Sequence, residues 1–84
     1  MLPVIEIRRC FYRRDQRRAG ARLKAELLRR SITPKMSITF GEFEILIDGI
    51  RLYSYKAEGK LPSGDELLDQ VIEARSNLLR RELL

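Results

Sequence analysis

The chain has 84 residues, of which 44% are hydrophobic and 35% are charged, and it carries a formal net charge of +5. That length predicts a single small domain spanning residues 1–84, and the hydrophobic content excludes intrinsic disorder. One cysteine rules out an internal disulfide, and the lack of histidine rules out His-based acid–base catalysis. We therefore expect no metal site and no bound cofactor.

The first strand and the first helix are predicted from the N-terminal third of the chain. Residues 4–7 are rich in β-branched side chains and predict a short strand. A helix is expected over 15–30, with Asp15 as its N-cap. Its apolar stripe recurs at four-residue spacing and consists of Ala19, Leu23 and Leu27. Gly20 costs a helix about 1 kcal/mol relative to alanine, so we expect close packing at that position.

The segment FEILIDGIRLYSY predicts a β-hairpin. Asp48-Gly49 lies between two apolar runs, and a two-residue type I′ turn needs positive φ at both of its central positions. The turn then predicts an apolar face made of three pairs: Ile47 with Ile50, Ile45 with Leu52, and Phe43 with Ser54. The opposite face is mixed and is a candidate homodimer surface: Leu46, Tyr53 and Tyr55, with Glu42 and Glu44. Its pairs would be Leu46 with Arg51, Glu44 with Tyr53, and Glu42 with Tyr55.

Two further elements complete the predicted order. Residues 36–38 predict a short strand, and Ser63 with Glu66 fits a capping box that opens a last helix. The order is then β-α-β-β-β-α, with the first two strands parallel and joined by a right-handed crossover. Both helices would cover one face of a mixed sheet, so the predicted fold class is α/β, an α+β two-layer sandwich.

The segment GEFEILIDGIRLYSYKAEGKLP resembles the C-terminal half of the selenoprotein W-like (Rdx) redox family. That family carries a G-x-F-E-[VI]-x-[VI]-[ND]-G stretch, a strand with a Ser-Lys-like end, and a short loop with Gly and Pro before the last helix. The fitting positions are Gly41, Phe43, Glu44, Ile45, Ile47, Asp48, Gly49, Ser54, Gly59 and Pro62. The resemblance covers most of the chain and implies a thioredoxin-like fold and a part in cell redox homeostasis.

The same resemblance assigns roles to Cys10 and Arg13. The family's C-x-x-C or C-x-x-U motif directly follows the first strand, which places Cys10 at the first position and Arg13 where the second sulfur or selenium stands. A dithiol cycle needs two sulfurs, so this chain cannot run one alone. A monothiol cycle resolved by glutathione or a protein thiol stays open, because neighbouring arginines favour the thiolate. The preferred interpretation is a Cys10 that only packs at the strand end.

The arginine-rich segment permits a second interpretation. Residues 8–18 read RRCFYRRDQRR, and residues 1–39 hold eleven Lys/Arg against three acids, a charge of +8. Positive potential attracts phosphate or acidic partners, so the alternative function is nucleic-acid or acidic-partner binding through segment 8–22. Its candidate binding residues are Arg8, Arg9, Phe11, Tyr12, Arg14, Arg17 and Arg18. No nucleic-acid motif is recognised, so this alternative is not the favoured one, and a solvated basic helix face stands beside it.

The sequence as a whole predicts a degenerate selenoprotein W-like protein. It would be a binding module or a one-cysteine thiol protein, and at most a glutathione-linked monothiol oxidoreductase. No run of 18 apolar residues is present, which predicts no membrane span. The N-terminal apolar run precedes its charges, the reverse of a signal peptide, so a cytoplasmic location is expected.

Overall fold

A computed structural model describes residues 2–83 of the chain. The elements within this range are β1 (Ile5–Cys10), α1 (Arg14–Arg29), β2 (Lys35–Thr39), β3 (Glu44–Ile47), β4 (Ile50–Ser54), α2 (Tyr55–Glu58) and α3 (Gly64–Leu83). The predicted order is confirmed, with α2 as one added short helix. Ser54 caps α2, since its hydroxyl accepts a hydrogen bond from the Ala57 N–H at 3.4 Å. No helix in the described range is long and apolar enough to cross a bilayer.

The four strands form one mixed sheet in the order β2-β1-β3-β4. β1 is parallel to β2 and antiparallel to β3, and β3 is antiparallel to β4. α1 packs on β1, α3 packs on β3, and the two helices contact each other. The two-layer, thioredoxin-like architecture is therefore confirmed.

The start of α1 differs from the prediction. The helix begins at Arg14 with Arg13 at the N-cap, and the Arg13 side chain makes no capping hydrogen bond. Asp15 as N-cap is therefore wrong. Its carboxylate instead accepts a hydrogen bond from the Gln16 N–H at 2.9 Å, inside the first turn, where a negative charge suits the helix dipole.

The core lies between the sheet and the two long helices. Its largest fully buried apolar side chains are Phe43, Ile5, Ile7, Leu27, Ile45, Ile47, Leu67 and Val71. Gly20 lies on the buried face of α1, where an added Cβ would sit 3.5 Å from Ile7 Cγ2 and 3.6 Å from Phe43 Cε2. Side chains of the sheet do pack against Gly20, but at ordinary contact distances that leave room for a methyl group.

The hairpin turn is confirmed, but the register beyond it is not. Asp48 and Gly49 have φ of 49° and 81°, as a type I′ turn requires. The pairs Ile47–Ile50 and Leu46–Arg51 are present. A β-bulge then makes Leu52 an extra residue on β4, so every later partner moves by one position. The predicted pairs beyond the bulge are wrong, and the observed pairs are Ile45 with Tyr53 and Glu44 with Ser54.

The bulge turns Tyr53 into the core. Its side chain is buried, and its ring lies edge-on to Phe43 at 5.8 Å between centroids. The Tyr53 hydroxyl donates a hydrogen bond to the Lys60 carbonyl, and burial raises its pKa, with Tyr55 and Glu58 adding to the effect. Placing Tyr53 on the outer sheet face was therefore wrong. Ile50, predicted to be covered, is 62% exposed.

Candidate functional site

Cys10 is the last residue of β1, and the chain turns through residues 11–13 before α1 begins. It pairs with Thr39 of β2, is a free thiol, and has no exposed surface. The site therefore lies where the two parallel strands end, next to the N-terminus of α1.

Neighbouring groups act on the pKa of the Cys10 thiol in opposite directions. Burial raises the pKa of the thiol, because it disfavours the charged form. The backbone N–H groups of Tyr12, Arg13 and Gly41 and the Tyr12 hydroxyl act in the opposite direction, and the net pKa is lowered. A thiolate accepts these bonds more strongly than a thiol does, so the donors stabilise the reactive form.

The backbone conformation at position 41 favours glycine. Its φ of 93° lies in the region that side chains other than glycine rarely adopt. A Cβ added there would lie 3.1 Å from the Tyr12 hydroxyl oxygen, so Tyr12 closes over Gly41. Two hydrogen bonds between Thr39 and Glu42 close this loop. The Thr39 hydroxyl accepts from the Glu42 N–H at 3.2 Å and donates to the Glu42 carbonyl. This loop carries the Gly41 N–H, which is one of the groups that lower the pKa of Cys10.

Arg13, three residues after Cys10, lies at the N-cap of α1. Its guanidinium lies 5.3 Å from the centre of the Tyr55 ring and 4.0 Å from the Asp15 carboxylate. The side chain joins the turn before α1 to the start of α2 through a cation–π contact. It offers no sulfur, and the sequence holds no other cysteine to resolve a disulfide with Cys10.

Three exposed aromatic side chains form a cluster beside Cys10. Phe11 lies edge-on to Tyr12 and to Phe40, with ring centroids at 5.2 and 5.1 Å. The exposed fractions are 46% for Phe11, 61% for Tyr12 and 86% for Phe40. Sequence reasoning named Phe11 and Tyr12 but missed Phe40, whose place is set by the pairing of β2 with β1.

The arginines of the predicted binding segment separate into two groups. Arg8 pairs with Glu6 at 3.2 Å, whereas the Arg9 Cβ approaches Gly20 on the helix-covered face. Alternate residues of a strand point to opposite faces, which explains the split. The predicted residues Arg9, Arg14, Arg17 and Arg18 do come together, and they line a groove between α1 and β2 with Ala21, Lys24 and Met36. Sequence reasoning missed Lys24 and Met36 as members of this surface.

Gln16 is a buried polar residue that the sequence did not single out. It lies on the buried face of α1, one turn before Gly20, and has no exposed surface. Neither its amide nitrogen nor its amide oxygen has a hydrogen-bond partner among the described residues. An unpaired buried amide costs roughly 1–3 kcal/mol, so Gln16 weakens the fold at this end of the helix.

Comparison with known proteins returned solved structures but no sequence family. No protein-family model and no curated protein matches the chain. A selenoprotein W-related protein from Vibrio cholerae matches with a TM-score of 0.73 and 28% identity, covering 88% of this chain and 98% of that one. A Bordetella parapertussis protein matches in fold, with a TM-score of 0.68 and 24% identity, covering 88% and 99%. The predicted resemblance is therefore confirmed.

Proposed function

We propose that this selenoprotein W-like protein acts through the single thiol of Cys10, as a one-cysteine thiol protein and not as a dithiol oxidoreductase. The donors around the Cys10 sulfur carry the proposal. Three backbone N–H groups and one hydroxyl lower the pKa of a thiol that burial alone would raise. A cysteine that only filled space at a strand end would need no such donors.

The chemistry that fits one sulfur is monothiol exchange. The Cys10 thiolate attacks the glutathione sulfur of a protein–glutathione mixed disulfide. A bond then forms between Cys10 and glutathione, and the protein leaves as a thiolate that takes up a proton. A second glutathione thiolate attacks the glutathione sulfur bound to Cys10, which releases oxidised glutathione and restores the Cys10 thiolate. Each cycle consumes one free glutathione, whose sulfur is oxidised as the sulfur of the target protein is reduced, so no second sulfur on this chain is needed.

Access to Cys10 requires movement of the turn that covers it. The sulfur has no exposed surface, whereas Tyr12, which donates to it, is 61% exposed. Rotating one exposed side chain needs little loss of packing, so local opening at Tyr12 is the expected route to the sulfur. The covered state then protects the thiolate, and the opened state reacts.

Thiolate absorbance near 240 nm, followed against pH, tests the proposal. Cys10 is the only cysteine, so the signal belongs to one group, and Cys10→Ser provides the blank. We expect a midpoint below the free-cysteine pKa of about 8.5. Tyr12→Phe removes the hydroxyl donor but keeps the ring, so its midpoint should rise. A wild-type midpoint at or above 8.5 would contradict an activated thiol.

A glutathione-coupled assay on a glutathionylated peptide tests turnover. Wild type should exceed Cys10→Ser. At a pH above the thiol pKa, where the lost hydroxyl no longer changes the thiolate fraction, Tyr12→Ala should speed alkylation of Cys10 by opening the cover. Equal background rates for wild type and Cys10→Ser would leave a binding module as the function.

A further inference from the structure

The groove between α1 and β2 is lined mainly by cations. Arg14, Arg17, Arg18 and Lys24 come from α1, and Arg9 comes from β1. Positions three and four apart on a helix share a side, so the α1 residues form one stripe along the groove. The groove has a volume of about 710 Å³, and no acidic side chain lines it. Five positive side chains thus border one open space.

The charge of these five side chains is not cancelled locally. Several other arginines form ion pairs with carboxylates: Arg8, Arg13, Arg22, Arg29, Arg30 and Arg51. Among the ion pairs of the described residues, none includes a groove cation. Unpaired cations gathered along a concave surface raise the local concentration of anions.

The aromatic cluster lies at one end of this groove. Arg9 precedes Cys10 on β1, and Phe11 donates its N–H to the Thr39 carbonyl at 3.3 Å, which brings Phe11 next to the end of β2. Phe40 follows Thr39, and Tyr12 leads directly into α1. Chain connectivity therefore places these exposed aromatic side chains next to the residues where the cationic stripe begins.

We propose that the groove binds the phosphates of a single-stranded nucleic acid while the aromatic cluster stacks on its bases. A single strand offers both phosphates and free base faces, and proteins bind it with cationic grooves and aromatic platforms. A duplex hides its base faces, and an acidic peptide has none. Residues 14 to 24 of α1 span about 15 Å at 1.5 Å per residue, enough for roughly three or four phosphates.

Fluorescence anisotropy with a labelled twelve-nucleotide oligo-dT tests the phosphate contacts. We expect log K to fall with log salt with a slope of about −3, as four neutralised phosphates on a single strand predict. Arg17→Gln/Arg18→Gln should weaken binding and make the slope shallower by about 1.4. Arg80→Gln/Arg81→Gln makes the same charge change on α3 and should leave the slope unchanged. Absence of binding at low salt, or equal losses in both double variants, would overturn the proposal.

Phe40→Ala tests stacking, because Phe40 is 86% exposed and its removal leaves the core intact. We expect roughly tenfold weaker binding of oligo-dT, in the range found for loss of one stacked base. Duplex DNA and poly-glutamate serve as competitors, and both should compete poorly. Competition as strong as that of oligo-dT, or a Phe40→Ala variant that binds like wild type, would refute base stacking. Cys10→Ser should bind normally, which separates this surface from thiol chemistry.

Discussion

Gly41→Ala separates the hydrogen-bond donors of Cys10 from the general stability of the fold. Alanine at a φ of 93° strains the backbone, at a cost of about 1–3 kcal/mol. Its Cβ would also lie 3.1 Å from the Tyr12 hydroxyl oxygen. That oxygen ends an exposed side chain, so it moves away at little cost and no longer lowers the pKa of Cys10. We therefore expect a loss of about 1–2 kcal/mol in the free energy of unfolding, and a raised pKa of Cys10.

Gly59→Ala is the matched control. Gly59 has a φ of 75°, and nothing lies within 4 Å of a Cβ added there. Alanine at Gly59 should strain the backbone about as much as alanine at Gly41, but it meets no neighbouring atom. The position also lies far along the chain from Cys10. Urea denaturation should show comparable losses in the free energy of unfolding for both variants. In thermal unfolding, each variant should lower Tm by roughly 5–15 °C in a domain of this size.

Thiolate absorbance against pH then distinguishes the two glycines. Only Gly41→Ala should raise the pKa of Cys10, and only its alkylation at neutral pH should slow through loss of thiolate. An unchanged midpoint in Gly41→Ala, or an equal rise in Gly59→Ala, would refute the assignment of the Gly41 loop and Tyr12 as donors to the sulfur.

Three further predictions concern stability. Gly20→Ala should stabilise the protein by up to about 1 kcal/mol, because the new methyl meets Ile7 at an ordinary 3.5 Å and alanine favours a helix; a lower Tm would show that the site has no room. Gln16→Met should raise the free energy of unfolding by about 1 kcal/mol in urea, since it removes an unpaired buried amide at nearly constant volume; a loss would mean that the amide has a partner. Ser37→Ala removes a 2.8 Å hydrogen bond that, against burial and together with Arg8, lowers the pKa of Glu6. The stability that ionised Glu6 contributes is complete above its unfolded pKa of about 4.3 and is lost as pH falls through the lowered folded pKa. In urea titrations, Ser37→Ala should therefore lose roughly 1 kcal/mol of unfolding free energy at pH 7 and less at pH 3.

The hairpin shows what local sequence predicts and where it stops. Asp48-Gly49 fixes the turn because positive φ is a local property of those two residues. The bulge at Leu52 is set by tertiary packing, since it places Tyr53 against Phe43 and leaves Ile50 in solvent. Strict alternation along β4 carries no sign of an inserted residue, so the pairs beyond Leu46 were predicted one position out.

The site was predictable in its parts but not in its assembly. Cys10 was identified through family resemblance, and the arginines through their density in the sequence. Three of the four groups that lower the pKa of Cys10 are backbone N–H groups, from residues 12, 13 and 41. Main-chain N–H groups have no residue-specific signal, so only the fold reveals them. Likewise, strand alternation separates Arg8 from Arg9, and the pairing of β1 with β2 brings Phe40 to Phe11.

The inserted residue on β4 also affects how the protein behaves at high concentration. β2 and β4 are the outer strands of the sheet. Edge strands carry unpaired N–H and C=O groups that can pair with strands of other chains and lead to aggregation. A bulge bends β4 and increases its twist, and the exposed Lys35 places a charge on β2 at the opposite edge. We therefore expect that an engineered deletion of Leu52, which removes the bulge, would flatten β4 and favour self-association through that edge.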